Sequence, residues 1–385
     1  FREGSGRFDA RLRLENATLA FHEEWPEAMN LEADVHFDGP GISMTGMRGR
    51  LLDTIVKNGS GRIENFNVAW LDLDLLGHGD AANLRRLMVQ SPLYAPNRAH
   101  LDALTISGPA AIDVRLRLPL KKNFGETEVE GVLSLDRARV SDRRWNVAFE
   151  AFTGDVPFTG HGFLVDALPV RYEEVPATLS LRVGDTVGDT GNIAELRLDA
   201  VLTPAQLLAR STELAWLEPW LSGSSQWQVR VDVPRARPEA PQTPARLSLH
   251  SDLVGLRLGL PSPLRKSVAT PLPLRLDLPL PANAGTMELS LGRLLRLRGR
   301  FGEGQRPFAG LAEFGTAGVS TAMPEAGIDV RGEVSSLDIG GWVAAAADGA
   351  AGPGGLRSVD LQVGAIDVLD RSFGDGRVEL GRDLN

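Results

Sequence analysis

Eleven residues, PLPLRLDLPLP at positions 271 to 281, set leucine at every even position (Leu272, Leu274, Leu276, Leu278, Leu280) and only proline, Arg275 and Asp277 at the odd ones. Strict alternation marks a β-strand with one face buried and one wetted. Proline cannot donate to a strand ladder and belongs at edges, strand starts and bulges. The segment therefore reads as an edge or rim slat of a wall, with prolines where pairing weakens or ends. The same period runs along the chain in FDARLRLENATLAF (8–21), MNLEADVHFDG (29–39), AIDVRLRLPL (111–120), TEVEGVLSL (127–135) and AELRLDAVL (194–202). It continues in QWQVRVDVP (226–234), ARLSLHSDL (245–253), VGLRLGLP (254–261) and TMELSLGRLLRLRGRF (286–301). Such a chain must build a large sheet with few helices.

Turn chemistry divides the strands. Asp38-Gly39, Asn58-Gly59 and Asp375-Gly376 are hairpin signals, because these residues accept the positive φ of tight turns, and the short spacings favour antiparallel neighbours. Two helices are predicted. One opens at Thr203-Pro204 and runs toward Trp216 before Pro219 interrupts it; the other covers AANLRRLMV (81–89). Pro234, Pro238, Pro241 and Pro244 mark an extended loop that also fits a P-x-x-P ligand pattern, and AAAADGAAGPGG (344–355) reads as a small-residue loop. Residues 1–385 are expected to form one elongated segment, with sub-boundaries near 203–222, 234–244 and 344–355. A weak repeat is visible. Gly4-Ser-Gly-Arg-Phe-Asp returns as Gly59-Ser-Gly-Arg-Ile-Glu, and the frame L-x-L-acidic-x-Ala-x-aliphatic runs from Leu12 to Leu19 and again from Leu133 to Val140, each followed by a tryptophan, Trp25 and Trp145.

Composition removes several function classes. Lys plus Arg total 41 against 50 Asp plus Glu, a net charge of −9, so there is no general basic field for a phosphate backbone and nucleic acid is excluded as a partner. With no cysteine, the chain has no disulfide and no thiolate metal site or nucleophile. Aromatic residues are only 6% of the chain, which argues against a sugar-stacking module. There is no apolar run of membrane-spanning length, and FREGSGRFDA lacks the layout of a signal peptide. The chain starts and stops inside strand-like patterns and is expected to be a segment of something longer.

Catalytic chemistry has no foothold. His22, His36, His78, His100, His161 and His250 show no spacing that would join two imidazoles on one metal. No nucleophile elbow, P-loop or dinucleotide fingerprint is present. The adjacent acids Glu23-Glu24 and Glu173-Glu174 would point to opposite faces of a strand. Neither enzyme activity, cofactor nor metal is expected.

The aliphatic faces remain. Two sheets burying their leucines against each other would make a dry core, and a scaffold or assembly protein would then present only its surface to partners. Few helices and few aromatic residues favour a second geometry: a mainly β fold with a long, curved antiparallel sheet bent into an elongated hydrophobic groove, whose aliphatic interior suits acyl chains. Strand parity names the lining as Leu12, Leu14, Val35, Phe37, Val114, Leu116, Leu118, Leu133, Leu135, Leu256, Leu258, Leu274, Leu276 and Leu278. Some 20 to 25 strands about 4.8 Å apart would span on the order of 100 Å.

A run of phrases brings a resemblance. Gly6-Arg-Phe-Asp-Ala, Ala17-Thr-Leu-Ala-Phe, Trp25-Pro26 and Ala33-Asp-Val-His-Phe37 are followed by Ser91-Pro92-Leu93, Leu116-Arg-Leu-Pro-Leu120, Val129-Glu-Gly131 and Gly154-Asp-Val-Pro-Phe158. Then come Leu221-Ser-Gly-Ser-Ser-Gln-Trp227, Ser251-Asp-Leu-Val-Gly255 leading to Leu260-Pro-Ser-Pro-Leu-Arg-Lys266, and Gly332-Glu-Val-Ser-Ser-Leu-Asp leading to Trp342. In this order they resemble the YhdP type of AsmA-like envelope proteins of Gram-negative bacteria. The resemblance implies a β-groove in the periplasm that carries phospholipid between the inner and outer membranes. It also implies docking partners at both membranes and an N-terminal inner-membrane anchor that this segment lacks. It brings no catalytic motif.

Overall fold

Where the sequence alternates, the chain forms strands, and the protein is mainly β. The computed structural model describes residues 8–381 except 22, 68–69, 93, 122–124, 210–211, 237–242, 303–307, 316–322, 348–354 and 369–370. The chain divides into two compact units, Phe1–Gly188 and Asp189–Asn385.

Unit 1 opens with β1 (Asp9–Leu19), β2 (Ala28–Asp38), β3 (Gly41–Leu51), β4 (Thr54–Ile63) and β5 (Trp70–Asp80). Helices α1 (Ala81–Val89) and α2 (Tyr94–Ala103) follow, then β6 (Leu104–Ser107), β7 (Pro109–Pro119) and β8 (Glu128–Asp142). It ends with β9 (Val147–Thr159), β10 (Phe163–Tyr172) and β11 (Val175–Val183). The order across the sheet is β1-β2-β3-β4-β5-β7-β8-β9-β10-β11, every pair antiparallel, with β6 pairing the far half of β8. Among the described residues of unit 1, β1 pairs with β2 alone, so the sheet is unclosed there.

Bulges recur from strand to strand. Between Leu14 and Ala17 the register gains one residue on β1, and Asn16 there has φ 51°. Extra residues on β2 and β3 coincide with Asn30 (φ 51°) and Gly46 (φ 61°). On β8, β9 and β10 they coincide with Arg137 (φ 48°), Ala151 (φ 52°) and Ala167 (φ 50°). A bulge bends its strand and raises the local twist, so repeated bulging curves the sheet. Each also resets parity, which keeps Leu14 and Ala17 on one face although they are an odd number of residues apart. The repeated frame at Leu12–Leu19 and Leu133–Val140 is this device: Asn16 and Arg137 are its matching positions. The Gly4-Ser-Gly part of the other repeat lies outside the described residues.

Unit 2 begins with β12 (Asn192–Leu202), α3 (Pro204–Leu208), a 3-10 segment (Thr212–Trp220), β13 (Leu221–Gly223), β14 (Ser225–Pro234) and β15 (Ala245–Ser251). β16 (Leu256–Leu258), β17 (Leu274–Leu280), β18 (Thr286–Leu291), β19 (Leu295–Arg300), β20 (Ala309–Phe314) and β21 (Gly327–Val334) follow. Then come β22 (Leu337–Asp338), α4 (Ile339–Ala347), β23 (Leu356–Val363), β24 (Ile366–Val368), β25 (Arg371–Phe373) and β26 (Gly376–Gly381). The main order is β12-β14-β15-β17-β18-β19-β20-β21-β23-β26. The β20–β21 and β21–β23 pairs are parallel, against the expectation of antiparallel neighbours throughout. β13–β16 and β22–β24–β25 form two small separate sheets.

Several local expectations change. PLPLRLDLPLP is no edge strand: β17 lies between β15 and β18. Its prolines are tolerated because Pro271 and Pro273 precede the strand, Pro281 follows it, and pairing to β18 stops at Asp277, before Pro279. Asn58-Gly59 is not a turn but lies within β4 beside a register shift, and Asp375-Gly376 joins strands of two different sheets rather than a hairpin. Asp38-Gly39 does turn, with Gly39 at φ 60°. Helix α1 forms over the anticipated residues, and the Asp80 side chain accepts from the Ala82 N–H at 2.8 Å. Thr203 and Gln206 make a capping box on α3, but the α-helix ends at Leu208 and a 3-10 segment replaces the rest. Residues 344–347, read as loop, finish α4, whose first turn is held by the Asp338 carboxylate accepting from the Gly341 N–H at 2.7 Å. Residues 348–354 and Pro238 and Pro241 lie outside the described residues.

Ala167 tests the bulges. It is exposed and left-handed, which costs an L-residue about 1–2 kcal/mol, whereas glycine in a strand interior costs about 0.5–1 kcal/mol in entropy. Ala167→Gly is expected to raise stability by roughly 0.5–1 kcal/mol in urea melts, and a loss of stability would refute a left-handed bulge at this position.

Candidate functional site

Residues that face each other in a strand ladder share one side of the sheet, so register alone assembles the faces. In unit 2 one row crosses ten strands: Leu198, Val229, Leu249, Leu276, Leu289, Leu297, Ala312, Val330, Val359 and Leu380. Every member is aliphatic. A flanking row runs Leu274, Leu291, Leu295, Phe314, Gly332, Leu361 and Val378. Along the main row Val229, Leu249, Leu276, Leu289, Leu297, Val330 and Val359 are half-buried, neither sealed nor fully wetted.

Unit 1 carries the corresponding row Leu12, Val35, Met44, Gly61, Leu73, Leu116 and Val129 across seven strands. Here the face is filled. Val35 and Leu73 are 5% exposed and Leu118 is 0% exposed, and Trp25, Phe21 and Leu87 pack against the same cluster. Glycines make room for neighbours: a Cβ on Gly61 would come within 2.7 Å of the Met44 Cε and 3.0 Å of a Leu73 methyl, and one on Gly59 within 2.7 Å of a Leu75 methyl.

The opposite face carries one unbroken polar row in each unit, while beside it in unit 2 Arg298 and Arg300 face the buried Leu311 and Ala309 of β20. In unit 2 the row reads Asp199, Gln228, His250, Arg275, Ser290, Arg296, Glu313, Arg331, Asp360 and Glu379. In unit 1 it reads Arg11, His36, Ser43, Arg62, Asp72, Arg117 and Glu128. Arginines meet acids along these rows: Arg115 lies 3.4 Å from Asp74 and 3.3 Å from Glu130, Arg275 2.9 Å from Asp277, and Arg331 2.6 Å from Glu313. The exposed pairs of Arg115 add little stability, whereas Arg331–Glu313 is part-buried. The Arg357 guanidinium beside Asp329 holds that carboxyl below the usual range, and the Ser358 hydroxyl adds to the effect against partial burial. Among the described residues, no group of three or more His, Asp or Glu is placed to hold a metal ion.

This two-faced sheet comes with a family match: the family described as YhdP protein covers residues 1–385. The chain belongs to the YhdP family. It is similar to the intermembrane phospholipid transporter YhdP of Escherichia coli (strain K12), at 23% identity over 281 residues, which are 71% of this chain and 21% of that protein. The chain thus spans about a fifth of the length of that relative. No solved structure matches it. No helix among the described residues is long and apolar enough to cross a membrane.

In this YhdP-family chain, parity placed most of the anticipated lining on the apolar faces. Val35, Leu116 and Leu118 are buried in the unit 1 cluster, with Val114 beside them and Leu14 and Phe37 packed against it. Leu12 is in register with Val35 but 44% exposed, because β1 is an open edge. Leu133 and Leu135 face Ile112 and Ala110 on β7. Leu274, Leu276 and Leu278 stand opposite Ser251, Leu249 and Leu247.

Leu256 and Leu258 are placed elsewhere. Both are buried, but in the small β13–β16 sheet off the main one. The chain leaves the sheet after Ser251 and is gathered around Lys266, which is 5% exposed and whose ammonium donates to the Leu253, Leu256 and Ser267 carbonyls at 2.6, 2.7 and 2.9 Å. Burial holds the Lys266 pKa below its ordinary value. Parity reasoning missed Leu71, Leu73 and Leu75, although WLDLDLL alternates plainly. It also missed Gly59 and Gly61, because a glycine on an apolar face gives no hydrophobic signal.

Two outcomes follow from these contacts. A carboxyl whose folded pKa lies below its unfolded value of about 3.9 adds stability that is complete above that value and is lost as pH falls through the folded one. Acidification from about pH 5 is therefore expected to lower the urea midpoint of the native chain more than that of Asp329→Asn; equal acid sensitivity would remove Asp329 from the account. Lys266→Met leaves three carbonyls without their donor and is expected to cost about 2–4 kcal/mol. A loss near zero would show that water replaces the ammonium.

Proposed function

We propose that this chain is a non-catalytic, lipid-conducting part of a periplasmic protein that carries phospholipid acyl chains between the inner and outer membranes and is anchored at the inner membrane in its full length. The observation that carries this reading is the aliphatic row from Leu198 to Leu380, ten strands without a polar residue and half-buried at most positions. At about 4.8 Å per strand it extends roughly 43 Å. Exposing a methylene to water costs about 0.8 kcal/mol, so a 16-carbon tail crossing water faces roughly 13 kcal/mol. A continuous aliphatic surface offsets most of that barrier, and a single polar interruption restores part of it.

Acyl chains lie along Leu249, Leu276, Leu289 and Leu297 in this proposal, with headgroups in water at the lip. The family match and the similarity to an intermembrane phospholipid transporter support the substrate class and the compartment. Because that relative is about five times longer than the matched stretch, transport from one membrane to the other belongs to the whole protein.

Unit 1 favours a second reading for its own apolar face. Leu118 is fully buried and Trp25 closes over the cluster, as in the dry core of a scaffold. Native mass spectrometry separates the two. Purified chain is expected to carry phospholipid, and Leu276→Arg or Leu297→Arg to lower its occupancy several-fold with the fold retained. Leu116→Arg is expected to act on stability first. Unchanged lipid in stably folded Leu276→Arg and Leu297→Arg variants would sink the conducting wall in favour of the scaffold.

A further inference from the structure

On the polar face of unit 2 arginines are matched with acids on several strands, and among the described residues β19 is where three unmatched arginines stand together. Arg275 is held by Asp277, Arg331 by Glu313, Arg357 by Asp329, and Arg377 by Asp360 and Glu379. On β19, Leu295, Leu297 and Gly299 take the apolar side, so Arg296, Arg298 and Arg300 share the polar one. No carboxylate among the described residues forms an ion pair with any of these three; Glu313, in register with Arg296, is taken by Arg331 at 2.6 Å. Arg296 and Arg300 are exposed and Arg298 is half-exposed.

We propose that β19 is an anion-binding stripe that holds an extended acidic segment of a partner protein on the polar face. Alternate residues of a strand are about 6.8 Å apart, so the three guanidinium groups are spaced as alternate side chains of an extended peptide are. Carboxylates at every second position of such a peptide can each meet one arginine in the two-pronged geometry that guanidinium favours. The width of the stripe selects against a flat anionic membrane. Glu288 lies across from Arg298 on β18 and Glu313 across from Arg296 on β20, about 4.8 Å to either side. A sheet of headgroups laid on β19 would set several anions against both carboxylates, whereas a single chain running along β19 meets Glu288 only beside Arg298, and Glu313 is already neutralised by Arg331. With a net charge of −9, the chain offers an acidic peptide no general attraction. At physiological salt, charges beyond about 8 Å are screened, so the three arginines act at contact against the flanking Glu288 and the paired Glu313 only.

The test uses the whole 385-residue chain and a short fluorescein-labelled peptide of alternating glutamate and threonine, read by fluorescence anisotropy at low and high salt. Salt-sensitive binding is expected. The triple change Arg296→Gln, Arg298→Gln, Arg300→Gln is expected to weaken it roughly tenfold or more, and the matching changes to lysine to weaken it less. Arg115→Gln with Arg117→Gln, which removes arginines already paired with acids, is expected to leave it unchanged. Should the triple variant fail to fold, the exposed single changes Arg296→Gln and Arg300→Gln are each expected to weaken binding measurably. The proposal is overturned if the native chain ignores the peptide, if the folded arginine variants bind it as tightly as the native chain, or if phosphatidylglycerol vesicles are captured through these arginines while the peptide is not.

Discussion

Everything in this structure depends on parity being kept in register. Side chains alternate across a strand, and ladder partners share a face, so a slip of one residue would carry every leucine of a strand into water and every arginine inside. Ten strands of unit 2 hold an aliphatic row on one side and a polar row on the other, and the register shifts at Asn192–Ala194 and Ile328–Asp329 fall outside both rows. The cost of one misplaced strand is what makes the register specific. Unit 1 keeps the same order while bending, because each bulge adds one residue and returns the next side chain to its proper face.

The two units use that face differently. In unit 1, Met44, Leu73 and Leu75 lie over glycines, and Trp25 and Phe21 close upon them at a ring separation of 6.2 Å, so the surface is spent on the protein itself. In unit 2 the row is leucine, valine and Ala312; most of it is half-buried, and at Val330 and Val359 it packs toward Leu337, Ile339 and Trp342. The polar faces show a parallel contrast between arginines matched by acids and the arginines of β19, which have no acid partner among the described residues.

Alternation made the strands and most of their apolar faces legible, and the frame shared by Leu12–Leu19 and Leu133–Val140 held more than a repeat. Its odd step from Leu14 to Ala17, and from Leu135 to Ala138, is a bulge written in the sequence. Other features were misread for identifiable reasons. Asn58-Gly59 has the residues of a turn, yet the glycine serves packing beneath Leu75 within a strand. Leu256 and Leu258 alternate like their neighbours, but the Lys266 ammonium gathers their backbone away from the sheet. Local pattern cannot distinguish a strand of the main sheet from a short strand beside it.

By itself, the sequence determined that this chain is β, that its strands are two-faced, and that one face is aliphatic, because periodicity is a property of neighbouring residues. Only the tertiary structure decided which strands adjoin, and so that PLPLRLDLPLP lies between β15 and β18 rather than at an edge. It also decided that Leu276 continues a row from Leu198 to Leu380, and that the apolar face is filled by Trp25 and Phe21 in unit 1 and packed by Leu337 and Trp342 over part of unit 2, with most of the Leu198–Leu380 row half-buried. Those outcomes rest on register and coverage between residues far apart in the chain, and a period of two carries no record of either.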